Sequence, residues 1–301
     1  MAFEKQNINY ADEYNAAVLF AMPYKNYFPE IFTSQESTTW KPLYGNEILR
    51  PSITVKGAKD RSRDDFGGTR TRNFNNKWNS FKLEMEREWD TTIDPLDMDE
   101  TNKSLSVANI TKVFNEQQML PEMSAYAAQK MYSLASTNST LDETAITKDN
   151  VLETWDTYIA QLQNARCDTR NVVAYATPTV LKALKNAAGI ERWFDTSRDQ
   201  GNVNRAPGKL DTIPVNIVPE DIMQSAFTFT DGWAKGSSAK QINLILADLT
   251  AVFAPIKMES VMTQAPSAVT ANKWYVYISY YYGLGINEER KGGLIVNAAS
   301  A

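Results

Sequence analysis

Apolar positions along the chain change spacing several times, and each change marks an element. Between residues 46 and 90 the pattern alternates. Ile53 and Val55 mark one arm, and Trp78, Phe81, Leu83 and Met85 the other. Period-two alternation predicts strands over Ile48–Val55 and Trp78–Trp89, which together make a long β-hairpin. The spacing then becomes helical. Leu105, Val107, Ala108, Ile110, Val113 and Phe114 lie on one side of a helix within Thr101–Gln118. A second helix is expected to open at Pro121. Glu122 would then sit at its positive N-terminal end, and Met123, Ala127, Met131 and Leu134 would form an i, i+4 stripe. The Ser/Thr/Asn cluster at 136–140 ends it.

Residues 145–255 read as an α/β unit. Asp149–Asn164 is an amphipathic helix, with Val151, Leu152, Trp155, Tyr158, Ile159 and Leu162 on one side. Asn171–Ala176 is a short buried strand. Thr177-Pro178 caps and starts a helix over Thr179–Ala188, which Gly189 ends. Polar residues 195–209 form a loop, and Ile213–Val218 and Ile242–Asp248 are strands. A strand over Lys257–Gln264 follows, and then a strand, turn and strand within 273–298. The run YVYISYYYG is expected to meet protein on both faces, because a free edge of this composition invites aggregation. No internal repeat is apparent.

Residues 1–45 differ. Pro23, Pro29 and Pro42 prevent long helices, and Tyr10, Tyr14, Tyr24, Tyr27, Phe28, Phe32, Trp40 and Tyr44 are scattered through them. An arm this aromatic is costly to leave in water, so it is expected to lie on its own molecule or on a neighbour.

Charge changes the picture next. The hairpin tip, residues 56–77, holds Lys56, Lys59, Arg61, Arg63, Arg70, Arg72 and Lys77 against three acids. A loop of about 20 residues with almost nothing to bury is unusual unless it is functional. The following stretch reverses sign. Glu84, Glu86, Glu88, Asp90, Asp94, Asp97, Asp99 and Glu100 face a single Arg87. Those of DPLDMDE, residues 94–100, read as a solvated turn before a helix. They lack the glycine and the spacing of an EF-hand loop, and no groove accompanies them as a glycosidase pair would require.

Composition removes whole classes of chemistry. The 301 residues contain no histidine and one cysteine, Cys167. The usual general base, a Ser-His-Asp triad, a Cys-rich metal site and an intrachain disulfide are therefore excluded. Arg166 and Arg170 flank Cys167 and would lower its pKa, yet without a partner base it reads as a structural thiol. A net charge of −5 opposes non-specific nucleic-acid binding. No apolar run approaches the ~20 residues that span a bilayer, and the start lacks the features of a signal peptide. No catalytic, cofactor or metal residues are assigned. The contact candidates are Lys56, Lys59, Arg61, Arg63, Arg70 and Arg72 at the tip, the carboxylates Glu84, Glu86, Glu88, Asp94, Asp97, Asp99 and Glu100, and the arm residues Tyr24, Tyr27, Phe28 and Trp40.

Several segments resemble, in order, the major capsid proteins of tailed bacteriophages with the Hong Kong 97-type fold. Many members from phages of Gram-positive hosts carry the same segments. They are Gly57-Ala58-Lys59-Asp60, Asp65–Gly68 with Trp78, Ile93-Asp94, Asp97-Met98-Asp99-Glu100-Thr101, and Pro121-Glu122 ahead of Ala125-Tyr126. Ser124 stands where the family has aspartate. VVAYATPTVLKAL and GKLDTIPVNIVPE resemble the family's central domain. The specificity lies in the order, since each motif alone is weak.

The resemblance implies an α+β fold with four parts: an N-terminal arm (1–45), an extended β-hairpin loop (46–90), a peripheral domain (91–145 and 255–301) with a spine helix at 121–136, and an axial α/β domain (146–254). It implies hexamers and pentamers closing an icosahedral shell around packaged double-stranded DNA. A scaffolding protein would direct assembly, and a portal protein would occupy one vertex. The subunit would be assembled in the host cytoplasm and end in the virion, with no cofactor and no membrane. The alternatives are another virion component, such as a tail or decoration protein, or a nucleic-acid-binding protein. Some family members cross-link a loop lysine to a neighbour's asparagine beside a glutamate. Lys56 or Lys59 with Asn287 and Glu288 are the residues available for that here, though no motif demands it.

Overall fold

A computed structural model describes residues 25–38, 41–42, 46–58, 73–100, 106–187 and 209–299. Helix α1 (Pro29–Thr33) opens the described chain and buries Ile31 and Phe32. Strands β1 (Glu47–Val55) and β2 (Phe74–Lys82) pair antiparallel over their whole length, from Glu47 opposite Lys82 to Val55 opposite Phe74. The hairpin therefore exists, but its second strand stops earlier than the alternation suggests. Leu83 is buried and breaks the strand, so β3 (Met85–Ile93) runs on into a different sheet. The expected strand Trp78–Trp89 is thus two strands in two sheets.

The two expected helices are one. Helix α2 (Val107–Phe114) is capped by Ser106, whose hydroxyl accepts from the Asn109 amide at 3.3 Å. It passes through a π-helical turn, Asn115–Met119, straight into α3 (Leu120–Thr137). Pro121 is the physical cause. It has no amide hydrogen and its ring crowds the carbonyl four residues back. One extra residue in the turn accommodates it, and the Leu120 amide bonds five residues back, to the Asn115 carbonyl. Pro121 therefore sits inside a helix rather than at its start, and Glu122 is not at a helix N-terminus. The stripe on α3 is as expected, with Met123, Ala127 and Met131 buried.

Short strand β4 (Leu141–Asp142) leads to α4 (Val151–Asn164), β5 (Val172–Ala176) and α5 (Pro178–Asn186), close to the bounds read from the sequence. Thr177 caps α5 through the Val180 amide and Pro178 fills its first turn. Gly189 and nearly all of the 195–209 loop lie outside the described residues. Then come β6 (Lys209–Leu210), β7 (Ile213–Ile217), β8 (Ile242–Asp248), β9 (Ile256–Gln264), β10 (Trp274–Tyr282) and β11 (Leu294–Ala298).

Six of these make one mixed sheet in the order β4-β11-β8-β5-β7-β6. Its central strands are continuously apolar because both faces are covered. Val172, Ala174, Leu244 and Leu246 pack with Trp155, Tyr158, Leu162, Val180 and Leu184 of α4 and α5. Val173, Tyr175 and Ile245 point the other way, into a core shared with Met123, Tyr126 and Met131 of α3 and with Phe28 and Ile31. The three-stranded sheet β9-β10-β3 joins that same core through Val276, Ile278, Tyr280 and Tyr282. β10 is its central strand, so both edges of the tyrosine run are paired. Only one of its faces is buried, however. Tyr275, Tyr277 and Tyr281 are half-exposed on the other.

Candidate functional site

Residues directly opposite in an antiparallel pair share a face. Pro51 with Trp78, Ile53 with Asn76, and Val55 with Phe74 therefore line one side of the β1–β2 hairpin. This side is apolar and exposed: Ile53 is 64% exposed, Val55 73%, Phe74 55% and Trp78 43%. Lys41 lies over the Trp78 ring at 4.9 Å, and Lys56 is exposed just past Val55. An exposed apolar stripe on a long two-stranded ribbon is what a partner surface looks like before the partner arrives. Lys59, Arg61, Arg63, Arg70 and Arg72 at the tip lie outside the described residues, as do Tyr24 and Trp40.

The other side of the ribbon is anchored at its root. Ile48 and Leu83 are fully buried, and the Phe81 and Phe253 rings meet edge-on at 5.0 Å. Arg50 is on that same inner side. It pairs with Glu36, donates to Asn287 Oδ1 at 2.6 Å, and stacks over the Phe253 ring at 3.9 Å. Asn287 in turn donates from Nδ2 to the Thr250 carbonyl at 3.0 Å. That amide is thus committed at both ends within the subunit. A cleft of about 620 Å³ opens beside this junction, between the hairpin and residues 286–290.

The carboxylates separate into three groups. Glu86 and Glu88 lie on the outer side of β3 with the half-exposed tyrosines of β10. Tyr281 donates to Glu86 at 2.6 Å and Tyr277 to Glu88 at 3.3 Å. Asp90 is exposed in the same row, opposite Tyr277. Glu84 is committed internally, to Lys130 at 2.5 Å and to the Tyr126 hydroxyl at 3.1 Å. Asp94 accepts from the Leu96 amide at 3.0 Å, at the start of the short helix Pro95–Glu100 that holds Asp97, Asp99 and Glu100. Glu86 and Glu88 thus lie in a strand, as the alternation predicts, while DPLDMDE is a short helix rather than a turn.

Arg87 points inward from β3. Its Nε is 2.9 Å from Glu122 Oε1, and Nη1 donates to the Phe229 carbonyl at 2.7 Å. Tyr282 donates to the same Glu122 carboxylate at 2.8 Å. Burial first, and then that carboxylate, push the Tyr282 hydroxyl pKa upward. Glu122 is consequently a buried ion-pair partner rather than a helix-dipole residue.

Two arm residues also resolve. Tyr27 is half-buried, with its amide on the Ser124 hydroxyl at 3.4 Å. Phe28 is fully buried with its ring 4.7 Å from that of Tyr175, so it packs inside its own subunit and offers a neighbour no surface. Cys167 departs from the sequence expectation as well. Burial and then Asp248 push its thiol up to about 11, while Arg170 is taken by Asp168 at 2.6 Å. Among the described residues no group of three or more carboxylate or cysteine side chains is placed to hold a metal ion.

Three features were missed in the sequence: Arg50, the Arg87–Glu122 pair and the outer tyrosine row. The first two had a signal. Arg50 shares the alternation phase of buried Ile48, and Arg87 shares that of Met85 and Trp89. A charge in the apolar phase of a strand needs a buried partner.

No family model and no curated protein matches the chain. Solved structures do. The capsid structure of the cyanophage P-SCSP1u matches with a TM-score of 0.61 at 12% identity, over 96% of this chain and 93% of that one. The mature capsid of bacteriophage PhiM1 matches with a TM-score of 0.56 at 11% identity, over 85% and 82%. The capsid structure of Staphylococcus phage Andhra matches with a TM-score of 0.55 at 10% identity, over 98% and 90%. At such identities the likeness is one of fold, and it spans nearly the whole chain. The α+β Hong Kong 97-like capsid fold expected from the order of sequence motifs is the fold this chain has.

Proposed function

We propose that the chain is a major capsid protein, the subunit of an icosahedral phage head. The observation that carries this reading is the hairpin: a rigidly rooted ribbon whose apolar side is left in water by its own subunit. A monomeric role gives no reason to keep Ile53, Val55, Phe74 and Trp78 exposed together. A closed shell does, because each copy can cover the hairpin of the next. The likeness in fold to chains of assembled capsids supports the same reading.

The charge pattern adds direction. The cations at the hairpin tip suit the outer side of β3 on another copy, where Glu86, Glu88 and Asp90 stand in a row. Such complementarity sets register and association rate more than affinity. Hexamers and pentamers, a scaffolding protein during assembly, a portal at one vertex, and DNA held without sequence specificity belong to this reading. So do assembly in the host cytoplasm and a structural rather than catalytic role in the virion.

Negative-stain microscopy of the sedimenting fraction, from cells making the chain alone and with its scaffolding protein, tests the proposal. Closed particles of uniform diameter are expected in at least one condition. Recovery as monomer in both would overturn it.

A further inference from the structure

Beyond Arg50 the hairpin is a lever. Ile48, Phe81 and Leu83 fix where its root sits, and Leu83 and Asn46 exchange backbone and amide bonds there at 2.8 and 3.3 Å. These contacts lie in one small apolar patch and resist sliding better than tilting. From Arg50 outward, five more residues reach Val55, about 17 Å at the usual rise per residue. Over that stretch the described residues show one exposed polar contact between the ribbon and the body, Ser52 to Glu289 at 3.4 Å. A tilt of about 10° at the root would move Val55 by about 3 Å on a lever of that length.

Arg50 is placed to prevent the tilt. One guanidinium joins three separate segments: Glu36 after α1, Phe253 on the strand Val252–Phe253, and Asn287 ahead of residues 288–293. A planar fork can satisfy Glu36 and Asn287 at different nitrogens while stacking on a ring; an ammonium cannot do all three. The supports are themselves held. Asn287 bonds the Thr250 carbonyl through its side chain and the Ala251 carbonyl through its amide at 2.9 Å, and the Ala254 amide donates to Ser37 Oγ at 2.8 Å.

We infer that Arg50 is the positioning residue that aims the hairpin, fixing its angle to the body before any partner binds. Its consequence for shells rests on the capsid reading; its geometry does not. A pre-aimed ribbon presents its apolar side at one angle, so every copy offers its neighbour the same curvature.

The test is a pulsed electron-spin distance measurement on the full chain, with labels at Thr54→Cys and Glu153→Cys in a Cys167→Ser background. A narrow distribution is expected with Arg50 present, broadened by roughly 3 Å in both R50M and R50K, as the lever geometry requires. An unchanged width in R50M would overturn the inference. A width fully restored by R50K would overturn it too, because charge alone would then suffice. Particle microscopy on the same proteins separates the two readings. Broadened labels with irregular or open assemblies support both. Broadened labels on a chain that never assembles, even with Arg50, uphold the aiming role and count against the shell.

Discussion

Arg87 of β3 lies 2.9 Å from Glu122 of α3, and this pair ties the three-stranded sheet to the long helix. Glu122 is buried while Arg87 keeps a fifth of its side chain exposed. Removing the arginine would strand a carboxylate that retains only the Tyr282 hydroxyl. R87M is expected to lower unfolding free energy by about 3 kcal/mol, the usual cost of breaking a buried pair from one side. The double variant R87M/E122M should cost less than R87M alone. Urea denaturation of the three proteins measures both, and equal losses would refute the assignment.

A second buried network predicts a pH dependence. Tyr158 donates to Asp142 Oδ2 at 2.5 Å, and Asn297 donates to the Tyr158 hydroxyl at 3.0 Å. Burial acts to raise the Asp142 pKa, but hydrogen bonds led by Tyr158 and Thr144 outweigh it and hold the carboxyl below its usual value. A depressed folded pKa contributes stability above the unfolded value, about 3.9 for aspartate, and that contribution is lost as pH falls through the lower folded value. Y158F should cost about 1–2 kcal/mol near neutral pH for the lost charge-assisted bond. It should also flatten the loss of stability below pH ~4, where the carboxyl titrates. Thermal melts of both proteins from neutral to acid pH check this.

Gly285 sits where the hairpin root meets the body. A Cβ there would lie 2.7 Å from both Phe253 Cζ and Phe81 Cε2, inside contact distance. G285A is expected to destabilise by about 1–3 kcal/mol through overpacking. It should also disturb the ring pair beneath Arg50, and an unchanged melting temperature would contradict the packing described.

The tip cations carry an assembly prediction. Reversing Arg61, Arg63, Arg70 and Arg72 to Glu should leave the monomer folded, because a stretch of sequence with almost nothing to bury contributes little to stability. Assembly should fail, because those charges would now repel the neighbour's Glu86, Glu88 and Asp90. Circular dichroism and particle counts read the two outcomes separately. Normal particles would sink the proposed contact.

Periodicity carried most of the fold. β8 was legible to the residue, and α4, β5 and α5 nearly so, since a strand or helix buried on a defined face must write that face into its spacing. Continuity was harder to see. Pro121 suits a helix start, and here a π-helical turn lets the helix run on through it. The hairpin's alternation was visible, but not that Leu83 hands the chain to another sheet. Alternation also cannot say whether an apolar side faces its own core or water. That is why Phe28, read as a contact, is internal, while Ile53 and Val55, read simply as strand, are the exposed ones. The partners of Arg50 and Glu122 could not be named for a related reason: they lie 14 and 237 residues from Arg50 and 35 from Glu122.

The position of β11 has a bearing on synthesis. It lies between β8 and β4, bonded to strands whose residues precede it by some fifty and by more than one hundred and fifty positions. The six-stranded sheet therefore stays open along an inner edge until residues 294–298 have left the ribosome. The hairpin root leans on Phe253 and Asn287, which are also made late. A nascent chain thus lacks a firmly held ribbon until those residues are made. The strand order thus makes the aim of the hairpin depend on residues that follow it by some two hundred positions.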